Sequence, residues 1–201
     1  MKSTVTTRKG VIVKTPSFIK TLINHPMAGL IWLPIRVWVG WQWLSAGLHK
    51  VESAGWMQTG ASLKSFWTNA VAVPATGTAP IHYAWYRAFL QMMLNAQAYT
   101  WFAKLVAVGE LLVGVALILG IFTGFSAFMG GLMNWNYMMA GSASINPMLF
   151  LLEVFIVLAW KISGYFGADY FLVPWLGSLW GQKKEKVERA PAGVTNGVPA
   201  R

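Results

Sequence analysis

The chain has 201 residues, of which 56% are hydrophobic and only 11% are charged, and its formal net charge is +10. Soluble domains carry about 25% charged residues, so this composition excludes an ordinary soluble globular protein and favours an integral membrane protein. The absence of cysteine excludes disulfides, a thiolate nucleophile, iron–sulfur clusters and c-type haem attachment.

The positive charge is concentrated at the two ends of the chain. Residues 1–26 form a basic tail, and residues 181–201, rich in charge, Pro, Gly and Ala, are predicted to be a second, disordered basic tail. The positive-inside rule places both tails in the cytoplasm. The charge pattern therefore predicts a multi-pass protein of the cell membrane whose tails face an anionic lipid bilayer, and it argues against a nucleic-acid partner.

Residues 27–180 contain the predicted membrane domain. A helix needs roughly 20 residues to cross the ~30 Å hydrocarbon core. Continuous apolar runs, as opposed to alternating ones, indicate helices as the spanning elements. The fold class is therefore predicted to be all-α, an integral membrane four-helix bundle. The four predicted spans are Met27–Leu48, Trp101–Leu119, Phe122–Gly141 and Pro147–Tyr165.

The segment 49–100 is the one large loop, and the topology places it outside the cell. Ala61–Val73 and His82–Gln97 carry apolar residues at helical spacing, which predicts two amphipathic helices at the outer interface. They either cover the bundle as a lid or simply pack at the interface. After the last span, 166–180 is too broken by Pro174 and glycines for a fifth span and is predicted to be interfacial.

Three ionisable residues, Arg36, Glu110 and Glu153, lie inside these apolar runs. A charge at the bilayer centre costs at least ~2.5–3.5 kcal/mol and is usually buried, paired or functional. Counting ~1.5 Å per helical residue puts Arg36 and Glu110 near mid-membrane and Glu153 nearer the outer face. Since both mid-membrane residues share a helical face with small residues, we expect Arg36 and Glu110 to be neighbours that form an ion pair or share a ligand, and to be the catalytic residues. The alternative is that the pair only fixes helix register.

Trp43, Asn134 and Glu153 are the candidate cofactor-binding residues. Asn134 falls in the same layer as the charged residues, although helix–helix hydrogen bonding is an alternative role for it. Trp43 can stack on a flat ring or anchor at the interface. The sequence contains no Walker loop, GxSxG or HExxH motif, and its three histidines lie outside the spans, so no metal or haem site is predicted.

Several short motifs lie along the apolar runs and their connections. They are Arg36 followed by WLSAGLHK at 43–50, WYRAFL at 85–90, VGELLVG at 108–114 running on to LGIFTG at 119–124, and GADYFL at 167–172. Together these motifs resemble the DoxX/DoxD family of small four-helix membrane proteins. The resemblance extends over roughly residues 30 to 175, and the long external loop and the WYRAFL segment make it closer to DoxD.

The resemblance implies a quinone-linked oxidoreductase subunit of the thiosulfate:quinone type. DoxD is the large subunit of an enzyme that passes electrons from thiosulfate to membrane quinone, forming tetrathionate, together with a smaller DoxA partner. In this interpretation Arg36 holds a sulfur oxyanion or a quinone carbonyl, and Glu110 delivers protons to the reduced quinone.

Two other functions stay open at the level of sequence. One is a non-catalytic membrane scaffold that recruits soluble redox proteins through its basic tails. The other is a small-molecule or proton transporter, which is less favoured because four short-looped helices offer little machinery for alternating access. Whether copies of the chain associate into a homo-oligomer, and whether the chain is an enzyme by itself, are also open.

Overall fold

The structure, a computed structural model, describes residues 4–6, 12–14 and 16–179, with side chains from 16 to 175. Two short strands, β1 (Thr4–Thr6) and β2 (Ile12–Lys14), pair in antiparallel register, and the other elements of the described residues are helical. The prediction of an all-α fold is confirmed. The predicted C-terminal tail, 181–201, lies outside the described residues.

Four long helices correspond to the four predicted apolar runs, and short helices fill the connections between them. A 3₁₀ turn at Pro26–Ala28 precedes the first long helix. The helices are α1 (Ser17–Asn24), α2 (Gly29–Val51), α3 (Ala54–Met57), α4 (Ala61–Val71), α5 (Ala84–Asn95), α6 (Tyr99–Leu119), α7 (Thr123–Met139), α8 (Asn146–Leu158), α9 (Trp160–Ser163) and α10 (Asp169–Leu179). Of these, α1 and α3 were not predicted from the sequence.

The long helices differ in how well their length and hydrophobicity suit a membrane crossing. Among the described residues only α6 is both long and apolar enough to span, by length and composition. Helix α2 is longer but less apolar, because it carries Arg36 and Lys50, and α7 and α8 have only 17 and 13 residues. A single helix of this kind also occurs in the cores of soluble proteins, so the four-span arrangement stays a prediction.

Helices α2 and α6 form a closely packed antiparallel pair that depends on glycine. A Cβ atom at Gly114 would lie 2.3 Å from the backbone nitrogen of Leu44, and one at Gly47 would lie 2.5 Å from that of Leu111. Small residues on both faces thus allow the two backbones to touch, as is common between membrane helices.

The end of α6 is fastened to the chain that leads into α10. Helix α6 ends at Gly120 in the left-handed conformation (φ 71°), and the N–H groups of Phe122 and Thr123 at the start of α7 donate to the Asp169 carboxylate at 2.6 and 2.8 Å. The Asp169 N–H in turn donates to the Gly120 carbonyl at 2.8 Å. A carboxylate suits a helix N-terminus because that end carries unpaired N–H groups and partial positive charge.

The predicted amphipathic helices of the long loop are present as α4 and α5. Their apolar sides pack together and against the start of α6 in a second hydrophobic core that includes Leu63, Trp67, Leu90 and Ala103. The Tyr86 hydroxyl donates to the Asn136 backbone carbonyl at 3.1 Å, which ties α5 to α7.

Candidate functional site

One face of α2 carries three residues whose side chains donate hydrogen bonds to other parts of the bundle. They lie at intervals of seven positions and are Arg36, Trp43 and Lys50. All three side chains point into the bundle, and each contacts a different polar group on another element. Seven residues correspond to about 10 Å along a helix, so the polar groups form three separate levels. We name them the Arg36 cluster, the Glu153 cluster and the Glu110 cluster.

The Glu110 cluster contains Lys50, Glu110 and Tyr137. The Lys50 Nζ donates to Glu110 Oε2 at 2.6 Å, and the Tyr137 hydroxyl donates to Oε1 at 2.5 Å. Glu110 is only 1% exposed, whereas the Lys50 side chain retains 17% exposure. The Lys50 ammonium also lies 5.1 Å from the centre of the Trp56 ring, within cation–π range. The cluster therefore connects a buried carboxylate to the surface through a lysine.

The predicted ion pair between Arg36 and Glu110 is wrong. Helix α6 starts beyond the C-terminal end of α2, and its Tyr99 carbonyl lies against Gly60. Because of this offset, Glu110 lies at the same height along the bundle as Gly47 and Lys50. Arg36 lies eleven residues before Gly47 on α2, which is about 16 Å along the helix axis. Counting depth from the predicted helix starts missed this overhang of α6.

The Arg36 cluster lies at the end of the bundle where α6 turns into α7. Arg36 is 1% exposed, and its Nη2 donates to the Phe166 carbonyl at 3.2 Å, while Nε and Nη1 have no hydrogen-bond partner among the described residues. Backbone atoms of Gly120 and Gly167 pack directly against the guanidinium, and the charge of Asp169 acts favourably on it. Arg36 thus joins the α6–α7 turn to the segment before α10.

The Glu153 cluster brings together all three predicted cofactor-binding residues. The Trp43 Nε1–H donates to Glu153 Oε1 at 2.5 Å, and the Asn134 amide donates to Oε2 at 2.7 Å. A Cβ at Gly130 would lie 2.5 Å from Oε1, so the glycine provides the space that the carboxylate occupies. The helix–helix hydrogen bond considered for Asn134 is confirmed, since its bond joins α7 to α8.

A cleft of about 720 Å³ separates α6 from α7 along most of their length, and α4 and α5 cover one end of it. This position favours the interpretation of α4 and α5 as a lid. The walls are almost wholly apolar. Wall residues include Leu105, Leu112 and Val115 of α6 and Phe125, Met129 and Leu132 of α7. Leu112 and Phe125 are 62% and 66% exposed, which shows that the cleft opens sideways between the two helices.

Few polar groups lie on the wall of this cleft. At the end covered by α4 and α5 they are Tyr86, Asn136 and Tyr137. Burial raises the pKa of Tyr86 to about 12, and its hydroxyl donates to the Asn136 backbone carbonyl. Tyr137 belongs both to the cleft wall and to the Glu110 cluster. Through this residue an apolar binding space meets a buried charged group.

Sequence reasoning missed the roles of Lys50 and Tyr137. Lys50 shares the helical face of Arg36 and Trp43, and Tyr137 lies three residues after Asn134, so periodicity contained a signal for both. Arg36, Trp43, Asn134 and Glu153 do not line the cleft. In the part of the chain with described side chains, no group of three or more His, Asp or Glu residues is placed to hold a metal ion.

Comparisons of the chain with protein-family models, with curated proteins and with solved structures returned no match. The DoxX/DoxD resemblance therefore stays a prediction drawn from the motifs.

Proposed function

We propose that this chain is a membrane-embedded subunit of a quinone-linked oxidoreductase, and that it binds the quinone in the cleft between α6 and α7. The observation that carries the proposal is Tyr137, which lines an apolar cleft and whose hydroxyl donates to the buried Glu110 carboxylate at 2.5 Å. An apolar pocket with a few convergent polar groups is the usual form of a small-molecule site.

The surface of the helices supports a position in the lipid bilayer. Large apolar side chains are exposed along all four long helices, far beyond the scattered apolar residues of a soluble monomer. Both basic tails would then lie in the cytoplasm and the α4–α5 cover outside the cell. The exposed residues include Leu30, Ile31 and Trp41 of α2, Leu105, Leu112 and Leu119 of α6, Phe125, Phe128 and Leu132 of α7, and Leu151, Phe155 and Leu158 of α8.

The shape of the cleft fits a lipid-soluble ring with a long apolar tail. Its volume of about 720 Å³ falls within the range of ordinary ligand pockets, and its sideways opening gives access from the hydrocarbon core. The polar groups lie near the covered end, where the carbonyl-bearing ring would be held, and the apolar remainder would hold the tail. A bound quinone would supply two-electron, two-proton redox chemistry.

The Glu110 cluster supplies the proton-handling groups for this site. The Tyr137 hydroxyl carries one proton, which it donates to Glu110 Oε1. By turning away from that carboxylate, the hydroxyl would donate the proton to a quinone carbonyl in the cleft. Lys50 balances the Glu110 charge and, being partly exposed, gives that carboxylate a connection to water. The electrons would come from thiosulfate through a DoxA-like partner, as the family resemblance implies. Arg36 lies outside the cleft and acts as a positioning residue.

Quinone binding can be measured with the purified chain in lipid nanodiscs by quenching of its tryptophan fluorescence with a short-tailed ubiquinone analogue. We expect saturable quenching that Ala116→Phe, which fills the cleft wall, weakens at least tenfold. The matched control is Val108→Phe on the same helix, because Val108 is partly exposed and does not line the cleft. Tyr137→Phe should weaken binding several-fold, since one hydrogen bond contributes about 1 kcal/mol.

Absence of saturable quenching, or equal affinity in Ala116→Phe and the wild type, would contradict the proposal. If binding is present, thiosulfate-dependent reduction of the analogue is then assayed with the DoxA-like partner added. Loss of partner co-purification on removing residues 182–201, with no quinone binding, would identify the scaffold instead.

A further inference from the structure

Glu153 lies at the centre of the bundle with two neutral hydrogen-bond donors and no cation. It is 0% exposed, and its two oxygens accept from Trp43 Nε1 at 2.5 Å and from Asn134 Nδ2 at 2.7 Å. Within the described residues the only carboxylate–cation contact is the pair of Lys50 and Glu110. The quinone proposal does not use this carboxyl group.

The charged groups on the surrounding helices are all engaged elsewhere or exposed. On α2, Arg36 and Lys50 lie seven residues to either side of Trp43, and they bind the Phe166 carbonyl and Glu110. His49 of α2 and Lys161 of α9 are exposed at the surface. On α7 and α6, Tyr137 and Glu110 are bonded to each other, and the other titratable residues of α6, Tyr99 and Lys104, lie at its first turns, where Lys104 is exposed.

An ionised carboxylate that is buried without a cation is destabilised by the loss of its hydration. Binding a proton neutralises the carboxylate and removes that destabilisation. Two N–H donors stabilise the ionised form in part, so neither state is excluded by the surroundings. The group is thereby placed where a proton can be both bound and released.

The Asn134 amide is suited to both protonation states. Its Oδ1 is buried and has no hydrogen-bond partner among the described residues. Because amide oxygen and nitrogen are interchangeable by a half-turn, rotation would bring Oδ1 to the position of Nδ2, 2.7 Å from Glu153 Oε2. There it would accept the O–H of a protonated carboxyl, whereas the present orientation donates to an ionised one.

We propose that the Glu153 carboxyl, held between Trp43 and Asn134, is a site that binds and releases a proton inside the bundle. The site is distinct from the cleft and does not depend on quinone binding there. Asn134 and Tyr137 are three residues apart on α7, so the same helix contributes a side chain to the proton site and to the Glu110 cluster.

Infrared spectroscopy of the full-length protein in lipid bilayers, recorded against pH, tests this site directly. We expect the C=O band of a buried carboxylic acid to grow as the pH is lowered, and to be absent in Glu153→Gln. It should persist in the matched control Glu52→Gln, because Glu52 is exposed at the end of α2, and also in Glu110→Gln.

A second variant keeps the test decisive if Glu153→Gln fails to fold. Trp43→Phe removes the N–H donated to Oε1, and a carbonyl that loses a hydrogen bond absorbs at higher wavenumber. We therefore expect the same band at a shifted position. A band that persists in Glu153→Gln, one that does not move in Trp43→Phe, or a Glu153 that stays ionised at every pH where the protein is helical, would overturn the proposal.

Discussion

At the scale of single residues, three buried ionisable side chains of the bundle are each stabilised by a different kind of partner. Glu110 has a cation and a hydroxyl, Glu153 has two neutral donors, and Arg36 packs against a backbone carbonyl and glycines. Of these interactions, disruption of the Lys50–Glu110 pair should lower the free energy of unfolding most, because removing one partner leaves an uncompensated charge in the interior.

Lys50→Met should lower the free energy of unfolding by about 3 kcal/mol, since Glu110 would keep a buried charge without its cation. The double variant Lys50→Met, Glu110→Gln should recover part of that loss. Both can be measured by denaturant titration in detergent micelles. Lys104→Met serves as the control, because Lys104 is exposed on α6 and its removal should cost less than about 0.5 kcal/mol. An unchanged stability of Lys50→Met would show that the pair contributes nothing.

The residues of this cluster show what could be read from the sequence and what could not. Helical periodicity places Lys50 on the buried face of α2, and it places Glu110 on the small-residue face of α6. Which of the α2 residues meets Glu110 depends on the sliding register of the two helices. That register follows from the overhang of α6 beside Gly60 and from contacts at Gly47, which are tertiary facts with no local signal.

At the scale of elements, the helices were predictable because their apolar runs are long and continuous. The pairing of α2 with α6 was also foreshadowed by glycines at helical spacing. The cleft between α6 and α7 was not, since a tight sequence connection predicts close packing of neighbouring helices. A gap between them depends on α7 packing against α8 and on the α4–α5 cover, both of which are long-range features.

Two glycines of α6 offer a matched comparison for the α2–α6 contact. Gly114→Ala should destabilise the protein by about 1–3 kcal/mol, because the added methyl meets the Leu44 backbone at 2.3 Å and the helices must separate. Gly109→Ala places its methyl 3.7 Å from Met133 Sδ and should be neutral or stabilising by up to about 1 kcal/mol. Thermal unfolding of the two variants in the same micelles gives the comparison, and equal midpoints would contradict the close packing.

At the scale of the whole molecule, the four-span topology is a prediction that labelling of single cysteines can test. Four crossings would place Ser17 on one side of the membrane, with Thr76 and Ala143 together on the other, and all three residues are exposed. The chain contains no cysteine, so the natural sequence is already the background for single-cysteine labelling.

We expect a membrane-impermeant maleimide added to intact cells to label Thr76→Cys and Ala143→Cys, but not Ser17→Cys. Permeabilisation of the cells should then expose Ser17→Cys, which controls for reactivity. Labelling of all three variants in intact cells, or of none, would contradict the four-span topology with cytoplasmic ends.

The clasp formed by Asp169 on the first N–H groups of α7 has a mechanical consequence. It fastens α6 and α7 to each other at one end, next to Arg36, while the cleft keeps them apart along the rest of their length. The two helices are thereby held together at one end and separated along the rest, and Tyr137 lies far from the joined end. If a quinone binds in the cleft, as proposed, we expect substitutions that loosen this joined end to change which tail lengths the cleft accepts.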